Sequence, residues 1–85
     1  MTPDEALRDI RGYAATGRMR IEAHARQRMR ERNVRYADLA HALSNASACA
    51  LQPNGRWRVE GADPDGDDLT AIVVLEDGLV VVTLF

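Results

Sequence analysis

The stretch His24-Ala-Arg-Gln-Arg-Met-Arg-Glu-Arg32 constrains the fold more than any other, because only one kind of element satisfies it. A histidine and four arginines stand at every second position, which is the alternation of a strand. As a strand, its inward face would be Ala25, Gln27, Met29 and Glu31, a set that builds no core. As a helix, Ala25 and Met29 fall at i and i+4 and form one narrow apolar stripe. The residues are good helix formers, and no β-branched side chain interrupts them. A helix is therefore expected. Each residue advances about 100° around its axis. His24, Arg28 and Arg32 then run along one flank of the stripe, and Arg26 and Arg30 along the other.

Thr2-Pro3-Asp4-Glu5 is a helix start, with a capping threonine, proline in the first turn and acids beside the positive helix end. Leu7, Ile10 and Ala14 share a face of that helix, Tyr13 lies beside them, and Gly17 ends it. Residues 18–22, RMRIE, suit a short strand with Met19 and Ile21 on one face. Asn33 can take the left-handed conformation that closes the arginine helix. Another helix is expected over Tyr36–Ser44, burying Tyr36, Leu39, Ala40 and Leu43 and turning His41 away. Strands follow at 48–52, 56–60, 69–76 and 79–85, with turns at Pro53-Asn54-Gly55 and at a two-residue Asp77-Gly78 hairpin. In the second of these strands Trp57 and Val59 face the core, opposite Arg56, Arg58 and Glu60. The last two are apolar on both faces, so they are expected to be central or covered. This order predicts an α+β fold: N-terminal helices packed on one face of a curved antiparallel β-sheet, in a single domain over 1–85.

Eighty-five residues support one modest core, and with only four aromatics that core must be aliphatic. No apolar run approaches the ~20 residues that span a bilayer, and the N-terminus lacks a signal-peptide pattern. A soluble, cytoplasmic protein is expected. The single cysteine, Cys49, permits no internal disulfide, which fits a reducing compartment, and in SACAL it reads as a small hydrophobe.

The net charge of −2 hides a division. Seven arginines between Arg18 and Arg35 oppose only Glu22 and Glu31, while seven acids between Glu60 and Asp77 face no base. Every cation is arginine, whose planar fork suits phosphate and carboxylate. Either the basic segment faces a nucleic acid, or the two blocks pair within the fold or between molecules.

His24 falls at the junction of strand and helix. Imidazole there can serve as the acid or base of metal-independent RNA cleavage, or it can be a structural cap. Arg26, Arg28, Arg30 and Arg32 read as phosphate ligands or as a charged helix exterior with Glu31 and Asp38 pairing locally. Arg20, Arg56 and Arg58 extend a basic rim across the sheet, or pair with the acidic loop. His24, His41 and Cys49 share no metal-ligand spacing, and DPDGDD lacks the calcium-loop pattern, so no metal or other cofactor is expected.

Ile21-Glu-Ala-His-Ala-Arg-Gln-Arg-Met-Arg-Glu-Arg-Asn-Val34 resembles the signature of a bacterial family, domain of unknown function 4258 (DUF4258), which reads I-x-x-H-A-x-x-R-M-x-E-R-G-[IV]. The following DLAHAL, the meander and the valine-rich strand ending in Thr83 also fit. The resemblance implies a RelE-like fold in the barnase, EndoU, colicin and RelE ribonuclease superfamily. It implies a toxin-like RNA-binding domain acting as a metal-independent endoribonuclease (an mRNA interferase) of a toxin–antitoxin pair. RNA and a cognate antitoxin are then its partners. Carried over by position, His24, Arg28 and Arg32 form the catalytic flank, Ala25 and Met29 pack, and Glu31 is an orienting partner or a salt bridge. Arg20, Arg26, Arg30, Arg56, Arg58 and Thr83 become the RNA-binding set. The chain departs from the pattern at Asn33, where glycine is usual, and at Arg35, where Ser or Thr would cap the next helix. Its final strand offers only Thr83 where RelE-like nucleases often carry Tyr, Arg, Lys or His. The alternative is a non-catalytic protein-interaction or self-assembly module on the same fold, its basic flank buried against acids such as the 60–68 loop of a neighbour in a homo-oligomer.

Overall fold

In the computed structural model, which describes residues 1–85, the order is α1 (Pro3–Ala15), β1 (Met19–Ile21), α2 (Ala23–Glu31) and α3 (Tyr36–Ser44). Then come β2 (Ala48–Leu51), β3 (Trp57–Ala62), β4 (Asp68–Leu75) and β5 (Leu79–Leu84). The fold is α+β, with three helices on a five-stranded, mostly antiparallel sheet ordered β1-β5-β4-β3-β2.

Each helix begins and ends where its sequence allows. Thr2 Oγ1 accepts the Glu5 N–H at 3.2 Å, and the Glu5 carboxylate accepts the Thr2 N–H at 2.8 Å. The bond from the Thr2 N–H, then the one from Oγ1, holds the Glu5 carboxyl below its usual range. Gly17, at φ 77°, lets the Arg18 N–H close back on the Tyr13 carbonyl at 2.9 Å. Asn33 does the same for α2: its φ is 55°, and the Val34 N–H reaches the Met29 carbonyl at 2.8 Å. At α3 the Arg35 N–H donates to Asp38 Oδ2 at 2.9 Å, which supplies the acidic half of a capping box, while the Asp38 N–H donates to the Arg35 carbonyl at 3.0 Å in place of a capping hydroxyl.

The meander runs antiparallel through β2, β3, β4 and β5, but β1 joins β5 in parallel. The Leu79 N–H donates to the Arg18 carbonyl at 2.9 Å and the Glu22 N–H to the Val81 carbonyl at 3.0 Å. An all-antiparallel sheet is corrected to this extent. The two apolar strands β4 and β5 are central, as their composition requires. Their connection is three residues, Glu76 to Gly78, between paired Leu75 and Leu79, rather than two. A register shift between Ile72 and Val73 leaves Val82 as the extra residue of a bulge.

The core joins Ala6, Ile10 and Ala14 of α1, Ala25 and Met29 of α2, and Leu39, Ala42 and Leu43 of α3 to the inward side chains of the sheet. Trp57 and Val59 face it, opposite the exposed Arg56, Arg58 and Glu60. Two faces differ from expectation. In α1 the stripe runs through Ala6, leaving Leu7 half-buried. In α3 it runs Leu39, Ala42, Leu43 and on to Ala46, so Tyr36 is 48% exposed and Ala40 is only half-buried. The cause is a close approach of α3 to β3. A Cβ at Gly61 would overlap the Ala42 carbonyl, so the absent side chain lets the Ala42 side of α3 settle on the sheet.

This contact gives a paired test. Gly61→Ala should lower the unfolding free energy by about 3 kcal/mol or prevent folding, because backbone has to move. Gly12→Ala, where nothing lies within 4 Å of the added methyl, should stabilise by about 0.5–1 kcal/mol. Urea denaturation of both variants checks the pair, and a tolerated Gly61→Ala would contradict the packing described.

Candidate nucleic-acid interface

The two flanks of α2 meet different surroundings. On the first, His24 is the second residue of the helix; it is exposed, and its imidazole makes no hydrogen bond within the chain. Arg28 crosses the sheet end, where its Nε donates to the Leu84 carbonyl at 3.3 Å, and it lies 4.0 Å from Glu31. Arg32 caps the helix and is exposed. These three residues line no concavity.

The second flank faces a groove of about 410 Å³ between α2, the edge strand β1 and the start of α3. Its floor is the buried Ile21 and Met29 with the half-buried Met19 and Val34, and the exposed Arg20, Arg26, Arg30 and Tyr36 line it above. Arg26 is anchored by its Nε, which donates to the Ile21 carbonyl at 3.1 Å and leaves the rest of the guanidinium free. Arg20, Arg26 and Arg30 form no ion pair. Across the whole chain the basic and acidic blocks touch once, at Arg18 and Asp77, 3.1 Å apart. Beyond that one contact the two blocks do not pair within the chain, and no acidic residue lines the groove beside its arginines.

Of the remaining expected residues, Arg58 and Thr83 share one face of the sheet, in register through Ile72, away from the helices. Arg58 also stands over the Phe85 ring at 6.0 Å. Arg56 is exposed beside the β2–β3 turn. Only Arg20 joins Arg26 and Arg30. Tyr36 was absent from the expected site because the stripe Tyr36, Leu39, Leu43 has helical spacing. The competing stripe Leu39, Ala42, Leu43, Ala46 has it too, and was the available signal. The acidic loop is held by its own backbone: Asp63 Oδ1 accepts the Asp65 and Asp67 N–H groups, each at 2.9 Å. No group of three or more His, Cys, Asp or Glu side chains is arranged to hold a metal ion. No helix is long and apolar enough to cross a membrane.

A family model described as Domain of unknown function (DUF4258) matches residues 21–85, more than half of the chain. The chain belongs to the DUF4258 family. No curated protein and no solved structure matches it. The match begins in β1 and takes in α2, α3 and the meander, so the groove is built almost wholly from the DUF4258 segment, with Met19 and Arg20 just before it.

The one thiol of this DUF4258 domain is not placed as a nucleophile. Cys49 Sγ lies 3.2 Å from the Pro3 carbonyl, and burial, with Asp4 nearby, pushes its pKa up. A raised pKa leaves less thiolate at neutral pH than free cysteine has. Alkylation by iodoacetamide at pH 7.5 should therefore be slower than for free cysteine and should accelerate as the pH rises past the usual thiol range. A rate equal to that of the free amino acid would contradict the assignment.

Proposed function

We propose that this DUF4258 domain binds RNA through the α2–β1 groove. The observation that carries the reading is three arginines with no carboxylate partner around an apolar floor, with an exposed tyrosine beside them. Arginine forks hold phosphates, and an apolar floor beside an aromatic ring accepts an unpaired base. A duplex, which presents phosphates and ribose hydroxyls, would leave such a floor unused.

The grouping of DUF4258 with the barnase, EndoU, colicin and RelE ribonucleases, which the sequence resemblance implies, extends the proposal to a toxin-like endoribonuclease with an antitoxin partner. In that mechanism the ribose 2′-hydroxyl attacks the adjacent phosphorus and gives its proton to a base. The bond from phosphorus to the 5′-oxygen breaks, that oxygen takes a proton, and a 2′,3′-cyclic phosphate remains. His24 supplies the acid or base, and Arg28 and Arg32 hold the phosphate. A strand lying in the groove would have to cross the exposed face of α2, over Gln27, to reach His24. The geometry supports binding, and cleavage rests on the resemblance.

Fluorescence anisotropy with a labelled single-stranded RNA of about twelve nucleotides tests the binding. Arg26→Ala with Arg30→Ala should weaken it at least tenfold and flatten its salt dependence by about one phosphate contact per arginine. Tyr36→Ala should cost about 1–3 kcal/mol, and Tyr36→Phe much less. No binding, or binding indifferent to the double variant, would overturn the reading. In a parallel gel assay at high protein excess, wild type should yield cyclic-phosphate ends and His24→Ala should not. Intact RNA with wild type would remove the nuclease mechanism and leave the binding proposal standing.

A further inference from the structure

The two edges of the sheet differ in how they are guarded. At β1 the edge is three residues long, Arg20 stands on it, and the Arg26 guanidinium occupies the outward carbonyl of Ile21. At β2 nothing comparable exists. Ala48-Cys49-Ala50-Leu51 carries no charge and no proline, and three of its four residues are exposed, Leu51 at 57%. Its partner strand fixes which groups are free. The Gln52 N–H donates to the Arg56 carbonyl at 2.8 Å, and the alternate residues Ala50 and Ala48 stand opposite Arg58 and Glu60. In an antiparallel ladder the N–H and C=O groups of the intervening residues, Cys49 and Leu51, then point to the open side.

We propose that β2 is a self-association edge, on which a second copy of this chain adds its own β2 antiparallel, about a twofold axis at Cys49. Charge selects both the occupant and the register. In this register Ala50 of one copy stands opposite Ala48 of the other. Each row across the helix-free face then reads Arg58, Ala50, Ala48, Glu60, and the twofold axis repeats it in reverse. Arg58 and Glu60 form no ion pair within their own chain. Across the seam they are three strand spacings apart, about 14 Å between backbones, with only alanine methyls between. In the dimer Arg58 turns from the Phe85 ring, over which it stands within one chain, toward the seam, where its charge and that of Glu60 face one another. Centring the axis on Ala50 instead would set Arg58 on one row with its own copy, which like-charge repulsion disfavours. Four-residue edges bury less than the ~1,600 Å² of a standard interface, so the association is weak and concentration-dependent.

Sedimentation velocity of the full chain, under reducing conditions and in low salt, tests this from about 10 μM to about 1 mM protein. The mass should rise from 9.4 kDa toward a dimer. Arg58→Glu and Glu60→Arg should each weaken the dimer about tenfold, and the double exchange should restore it, because the reversed pair is again complementary. Circular dichroism confirms that each variant is folded. A monomer at every concentration would overturn the proposal. So would single reversals without effect, a double exchange that fails to restore, or a dimer abolished by Arg26→Ala with Arg30→Ala while both β2-side reversals are tolerated. None of these outcomes depends on whether RNA binds.

Discussion

The parallel pairing of β1 with β5 is the constraint on which the rest of the molecule depends. It ties residues 18–22 to residues 79–81, the longest sequence separation bridged in the sheet. Glu22 donates the last bond of that pair and is already the N-cap residue of α2. The helix therefore turns back over β5 with almost no connecting chain. Only Ala25 and Met29 face the sheet, and so narrow a stripe brings arginines down beside it on both flanks. Arg26 reaches Ile21 on one side and Arg28 reaches Leu84 on the other. A wider apolar face would have lifted them away from the sheet and from any groove.

Local chemistry made most of the elements legible. The capping box at Thr2 and Glu5, the left-handed Asn33, the i, i+4 pair in α2 and the turn residues before β3 and β5 each state one element in a few residues. The parallel bond between β1 and β5 has no such statement, because it joins a three-residue strand to one some sixty residues away. Tyr36 was placed wrongly for a similar reason. Its helix contains two overlapping stripes of equal spacing, and the choice between them was made by Gly61, on another element, which admits the Ala42 side. The candidate site was legible as a helix with two basic flanks. Which flank opens onto a concavity was decided by the edge of β1 and the entry of α3, neither of which the helix sequence encodes.

Electrostatics then separates paired from unpaired arginines. Arg18 pairs with Asp77, and Arg35 with Asp38. Arg11 donates to the Ala46 carbonyl, joining α1 to the end of α3. Such exposed pairs each contribute about 0–1 kcal/mol and serve mainly to order the chain. Arg20, Arg26 and Arg30 gain no carboxylate partner, although seven acids lie between Glu60 and Asp77 of the same small domain. Of those acids, Asp63 caps its own turn in the loop between β3 and β4, while Glu76 and Asp77 lie in the β4–β5 turn beside β1, where Asp77 meets Arg18. The division of charge seen in the sequence thus survives in part, as a groove lined by arginines and no acid at the β1 edge and an acidic loop between β3 and β4.

The central claim is that the groove, and not the opposite flank of α2, is the surface that meets RNA. The most direct measurement is a two-dimensional NMR titration of the isotope-labelled chain with a short single-stranded RNA. Chemical-shift changes should concentrate on the backbone amides of Met19 to Ile21, Arg26, Arg30, Val34 and Tyr36, and on the Arg26 and Arg30 side-chain Nε–H groups. Changes confined to His24, Arg28 and Arg32, or spread evenly over the acidic and basic surfaces alike, would contradict the account.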